Sequence, residues 1–119
     1  TKRTRYLQAL RRAHICVGSA GLHESIGWKT AEYVAAAKAV VNERFRFEVP
    51  GDFREGVNYL PFTDVEGCLA QVEALMEDPE RTYQMAQANR AYYLAYLRPD
   101  RLMANALAQA FPDWGRAAE

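Results

Sequence analysis

HICVGSAGLHESIGWKTAEYVAAAKAVV, residues 14–41, is the stretch whose reading decides the fold. It opens with a short apolar, β-branched run, 14–19, that ends in Gly18 and reads as a buried strand. A loop with Ser19, Gly21 and Glu24 follows. Ser25 then caps a helix expected to reach Ala37, with Tyr33, Val34, Ala36 and Ala37 on its apolar side. A second apolar run, 39–42, is the next strand. Strand, helix and strand in that order predict a βαβ unit with two parallel strands and a right-handed crossover. A helix N-terminus at the end of a parallel strand is an anion or nucleotide site in outline.

The remaining segments read as supports. Residues 2–12 are helical, with Tyr6, Leu7 and Leu10 on one face and basic residues on the other. Stretch 43–55 contains Pro50, Gly51 and several charges, and is a surface loop. VNYLPF, 57–62, is β-prone, with Pro61 placing it at a sheet edge or strand end. T-D-V-E begins a helix as a capping box, Thr63 with Glu66, and Leu69, Val72, Leu75 and Met76 form its stripe. Asp78-Pro79 stops that helix and starts another, expected to run to Leu97 with Tyr83, Met85, Tyr92, Tyr93 and Tyr96 as core or interface. Pro99-Asp100 restarts a last helix through Phe111, and the tail from Pro112 is expected to be loose. The fold class is therefore α/β: a three-layer, Rossmann-like partial domain with a short parallel sheet.

Composition narrows the function. The 119 residues make one domain, with half of them apolar and a net charge of zero. A neutral chain lacks the basic excess expected of a nucleic-acid binder. No run approaches the roughly 18 apolar residues of a membrane span, and no secretory-signal pattern opens the sequence. Cys16 and Cys68 have no CxxC partner or His at ligand spacing, which fits reduced thiols in a cytoplasmic protein. His14 opens the first strand without a second metal ligand nearby. The sequence has no G-x-S-x-G, no P-loop, and only Gly18 and Gly21 as an echo of a dinucleotide fingerprint.

What remains is Glu24 and Glu32. Ten glutamates give roughly one pair at that spacing by chance, so the context carries the weight. Glu24 precedes the helix and Glu32 lies within it, so the amides of Ile26, Gly27 and Trp28 between them can hold phosphate oxygens. A carboxylate accepts two hydroxyl hydrogen bonds at once, which suits a sugar or a ribose. The competing reading is a pair of solvated helix-end charges.

Ser19, Glu24, Gly27, Glu32, Ala35 and Val40-Val41 follow a pattern of Ser, Glu, Gly and Glu, then small residues and a valine strand. In this the chain resembles the C-terminal, donor-binding half of GT-B retaining glycosyltransferases, of the group-1 and spore-maturation type. The likeness continues in order through Tyr59 to Leu69, Leu75 to Glu80 and Arg81 to Arg90. It implies that Glu24 binds hydroxyls of the donor sugar and that Ile26, Gly27 and Trp28 face the diphosphate. Lys29 then lies near the phosphates and Glu32 binds the ribose. The implied ligand is a nucleotide-diphosphate sugar, with no other cofactor and no metal, and the implied partner is an N-terminal acceptor domain of a longer parent chain.

Two positions depart from that pattern: Ala37 where a Gly usually ends the helix, and Ala39 where a Pro often precedes the valines. Ala in a left-handed stop costs about 1 kcal/mol, so a differently built helix end is expected. The resemblance implies that the acceptor domain and the basic residues that neutralise a leaving diphosphate lie before the matched region, so the chain alone is expected to be inactive. An open sheet edge favours self-association, a homodimer being its simplest form. The alternative is a non-catalytic Rossmann-like binding or protein-interaction module.

Overall fold

A computed structural model describes residues 1–19, 28–45, 49 and 51–111, and the structural statements below concern these. The elements in chain order are α1 (Lys2–Arg12), β1 (Ile15–Gly18), α2 (Trp28–Ala35), β2 (Ala39–Glu43), β3 (Leu60–Phe62), α3 (Val65–Glu77), α4 (Pro79–Tyr92) and α5 (Pro99–Ala110). A π-helical turn, Tyr93–Leu97, joins α4 to α5. The three strands form one parallel sheet in the order β1-β2-β3, with Ile15 opposite Ala39 and Val41 opposite Leu60. The expected α/β fold with a short parallel sheet is present.

Alternation along the strands makes the layers. Ala39, Val41 and Leu60 join Leu75 of α3 and Met85 of α4 in the core, flanked by Ile15, Phe62, Cys68 and Val72. The intervening strand positions face the opposite side, where α2 lies, as the bond from Thr30 to Asn42 shows. Val40, Val41 and Ala39 are fully buried, as a central parallel strand covered on both faces requires. Pro61 sits in β3, an edge of the sheet, where its missing donor disturbs no further ladder. β1 forms the other edge among the described strands, and its Val17 is 46% exposed.

The helix end after α2 corrects an expectation. Ala37 adopts φ +57° and is the only non-glycine residue with positive φ among the described residues. The amide of Lys38 donates to Tyr33 O at 3.1 Å and that of Ala37 to Val34 O at 3.0 Å. These are the two bonds of a Schellman motif, so the left-handed stop forms without the glycine that usually supplies it.

Other boundaries shift for identifiable reasons. Asp64, not Thr63, caps α3: its Oδ1 accepts from the Gly67 amide at 2.6 Å, using a carboxylate that caps at least as well as a hydroxyl. Asp78 caps α4 through Arg81 N at 3.0 Å, with Pro79 in the first turn, as read from the sequence. The helix expected to reach Leu97 loses its α geometry at Tyr93, where the chain winds into the π turn. Leu69, Met76 and Tyr83 are exposed, so those stripes are only partly core. The expected looseness beyond Pro112 lies outside the described residues.

A buried amide pair ties the layers together. Asn89 Nδ2 donates to Lys38 O at 2.7 Å and to Asn58 O at 3.0 Å, while its Oδ1 accepts from Asn58 Nδ2 at 3.1 Å. Asn58 Oδ1 accepts in turn from the Arg54 amide at 2.9 Å. One side chain of α4 thereby holds the entry to β2 and the entry to β3. Both amides are almost solvent-free, so each bond satisfies a group that water does not reach.

Candidate functional site

In a parallel sheet ligands gather beyond the carboxyl ends of the strands. Here β1 ends at Gly18, which pairs in register with Asn42, one residue before the end of β2. Asn42 is fully buried, and its Oδ1 accepts a 2.8 Å hydrogen bond from Thr30 Oγ1 in the first turn of α2. Asn42 Nδ2 donates to Glu43 O at 2.7 Å. Gly18 makes room for this amide: a Cβ there would stand 2.1 Å from Asn42 Oδ1 and 3.0 Å from Thr30 Oγ1. The start of α2, with the positive end of its dipole, is thus fastened over the carboxyl ends of β1 and β2.

The sequence-predicted site residues divide. Glu24, Ile26 and Gly27 lie outside the described residues. Trp28 opens α2, and Lys29 beside it is exposed. Glu32 follows one turn later and is engaged by α1. Arg3 Nη1 donates to Glu32 Oε1 at 3.1 Å, with the Arg3 side chain 65% and the Glu32 side chain 19% exposed. An ion pair this open to solvent contributes about 0–1 kcal/mol. The same arginine lies 5.5 Å from the centroid of the Tyr6 ring.

Tyr6 completes this corner. Its hydroxyl is shut away from solvent and, among the described residues, meets no partner with hydrogen-bond geometry. Burial first, and then the nearby Glu32 carboxylate, push its pKa up to about 12. Because the geometry of a formed hydrogen bond is lacking, the influence of Glu32 is best assigned to the proximity of its negative charge. Tyr33, on the same helix as Glu32, is also pushed up, by burial and then by Cys16 and Glu32.

Two concavities differ in position. A pocket of about 130 Å³ opens beside the first turn of α2, lined by Thr30, Ala31, Val34, Phe45, Phe53 and Tyr92 among others. Phe53 stacks on Tyr59 at 5.5 Å and tilts against Tyr92 at 4.9 Å, making this wall aromatic. The larger groove, about 640 Å³, lies at the amino ends of the strands, between Ala13, His14 and Lys38 and residues of α3 and α4 such as Leu75 and Tyr83. Its size does not make it the site. It lies away from the strand ends that parallel sheets use, and neither Lys29 nor Glu32, the predicted ligand-binding side chains among the described residues, lines it. Among the described residues no group of three or more His, Cys, Asp or Glu side chains could hold a metal ion. No helix there is long and apolar enough to cross a membrane.

Sequence reasoning missed Thr30, Asn42 and Arg3. Asn42 did carry a signal: a polar residue closing an otherwise apolar strand must find a buried partner. Nothing in sequence spacing linked Arg3 to Glu32, which lie 29 positions apart.

The family model described as glycosyl transferase-like matches residues 1–108. No curated protein and no solved structure matches the chain. Among the described residues the matched stretch takes in every strand and helix except the last residues of α5, and the chain belongs to the glycosyl transferase-like family.

Proposed function

We propose that this chain is the nucleotide-sugar donor-binding part of a glycosyltransferase, the C-terminal half of a GT-B nucleotide-sugar-binding domain of the spore-maturation type. The observation that carries the reading is the placement of the first turn of α2 over the carboxyl ends of two parallel strands, through Thr30 and Asn42. Membership of the glycosyl transferase-like family supports the same chemistry. In this reading the helix start, with Ile26, Gly27, Trp28 and Lys29, meets the diphosphate; Glu24 takes the sugar hydroxyls and Glu32 those of the ribose.

Transfer takes place in a longer parent, in the cytoplasm, where an N-terminal acceptor domain closes the cleft. There the bond from the anomeric carbon to the diphosphate breaks, a bond to the acceptor hydroxyl oxygen forms, and the hydroxyl proton leaves with the departing diphosphate, without a metal. The isolated chain binds donor and does not turn it over, because charge developing on the leaving diphosphate goes uncompensated. The place of β1 at an edge of the described sheet, with Val17 exposed, supports pairing with a further strand, in the parent or in a homodimer.

The test is titration of the labelled chain with UDP-, GDP- and ADP-sugars, followed by amide shifts. Shifts centred on residues 26–32 and lost in Glu32→Ala uphold the reading. A second reading, a non-catalytic binding or interaction module, draws on the ion pair between Arg3 and Glu32, which gives that carboxylate a structural use. Silence at millimolar donor favours it. Assay of the full-length parent against a nucleotide-sugar panel then decides between the two.

A further inference from the structure

We propose that Thr30, Asn42 and Gly18 form a clamp that sets the position of the first turn of α2, and through it the affinity of the donor site. The second half of this rests on the donor-binding reading above; the clamp itself does not. Three elements supply one residue each: β1 gives Gly18, α2 gives Thr30 and β2 gives Asn42. Thr30 is 3% exposed and Asn42 is fully buried, so neither has water as an alternative partner.

The proton direction is fixed. Asn42 Nδ2 is committed to Glu43 O at 2.7 Å, which leaves its Oδ1 to accept from Thr30 at 2.8 Å. A helical threonine commonly returns its hydroxyl proton to its own helix, and here it is given to the sheet. Gly18 is the third condition, because a methyl at that position would occupy the space of the Asn42 oxygen. Remove any one and the other two lose their geometry. That mutual dependence separates a positioning device from ordinary packing, in which neighbouring side chains substitute for one another.

Lys29 stands next to Thr30, and Glu32 is two residues beyond it on the same short helix. Eight residues give α2 little rigidity of its own, so a slip at Thr30 moves both. Thr30, Asn42 and Gly18 are therefore positioning residues, acting through α2 without touching ligand.

The experiment uses the full chain and four variants, Thr30→Val, Thr30→Ser, Gly18→Ala and the double variant that combines Gly18→Ala with Thr30→Val. Hydrogen exchange at the α2 amides is measured without ligand, and UDP-, GDP- and ADP-glucose titrations are run alongside. Thr30→Val keeps the shape and deletes the hydroxyl. It is expected to speed first-turn exchange and weaken donor binding by about tenfold, the scale of one unsatisfied buried group. Thr30→Ser restores both, since it returns the hydroxyl. Gly18→Ala gives the exchange change of Thr30→Val, and the double variant adds little to either. Unchanged α2 exchange in Thr30→Val overturns the clamp, even if the variant melts lower. Equal donor affinity in wild type and Thr30→Val overturns its role in binding. Wild type silent to all three donors overturns the donor reading and that role with it, while the exchange result still decides the clamp.

Discussion

Replacing Ala37 by glycine should stabilise this protein. Ala37 sits at φ +57° in the Schellman turn that ends α2. An L-residue in that conformation costs roughly 1–2 kcal/mol, because Cβ crowds the following carbonyl oxygen. Glycine removes the cost but enlarges the conformational freedom of the unfolded chain, which takes back about 0.4–1 kcal/mol. Ala37 is half-buried, so loss of its methyl draws the net gain toward the lower end, about 0.5–1 kcal/mol. With unfolding entropy of roughly 2.1 cal/mol/K per residue, a chain of 119 residues changes by about 0.25 kcal/mol per kelvin. The expected rise in Tm is about 2–4 °C. Ala35→Gly, at an exposed position with ordinary helical geometry, is the control and should lower stability by about 0.5–1 kcal/mol. Ala37→Val should lower it further, because a β-branched side chain tolerates positive φ worst. Urea and thermal melts of the three variants decide the matter. If Ala37→Gly falls alongside Ala35→Gly, the left-handed helix end is absent and the reasoning fails.

Asn89→Leu strands Lys38 O, Asn58 O and Asn58 Nδ2 in a dry interior and should cost about 3 kcal/mol or more, read as a lower urea midpoint at unchanged slope; a loss under about 1 kcal/mol would mean that water replaces the amide. Asp64→Ala should cost about 1 kcal/mol while Thr63→Ala stays within about 0.5 kcal/mol, and equal losses in thermal melts would return the cap to Thr63. Tyr6, Tyr33, Tyr59 and Tyr92 all have raised pKa values, Tyr6 at about 12. The folded chain thus keeps protons that the unfolded chain releases above about pH 10, so stability is fully present below that pH and declines between about 10 and 12. Tm measured from pH 8 to 11.5 should be flat and then fall, less steeply in Tyr6→Phe; a flat profile throughout contradicts the shifts.

The order of elements was legible because each signal was local. The apolar runs read at 14–19 and 39–42, the Asp78-Pro79 start and the arginine-faced first helix act within a few residues of themselves. Local energetics decide them wherever tertiary packing agrees. The left-handed helix end was not legible at Ala37. Residue preference argued against it, and the Lys38 and Ala37 amides bonding back to Tyr33 and Val34 outweigh the local cost. The cap moved from Thr63 to Asp64 because two adjacent residues can both serve, and in the fold it is the Asp64 carboxylate that reaches the Gly67 amide.

The candidate site shows the same division. That a helix begins after the first strand, carrying Lys29 and Glu32, follows from sequence. That this helix start is fastened to Asn42 and needs Gly18 bare does not. Those residues meet because two strands lie in register, and register is a property of the assembled sheet. Arg3 reaching Glu32 is likewise a matter of how α1 folds back. The sequence by itself determined the parallel α/β pattern and the family pattern, since periodicity and spacing are written along the chain. Only the tertiary structure decided which buried polar groups pair, because a hydrogen bond between Thr30 and Asn42 depends on distance in space and leaves no period in sequence.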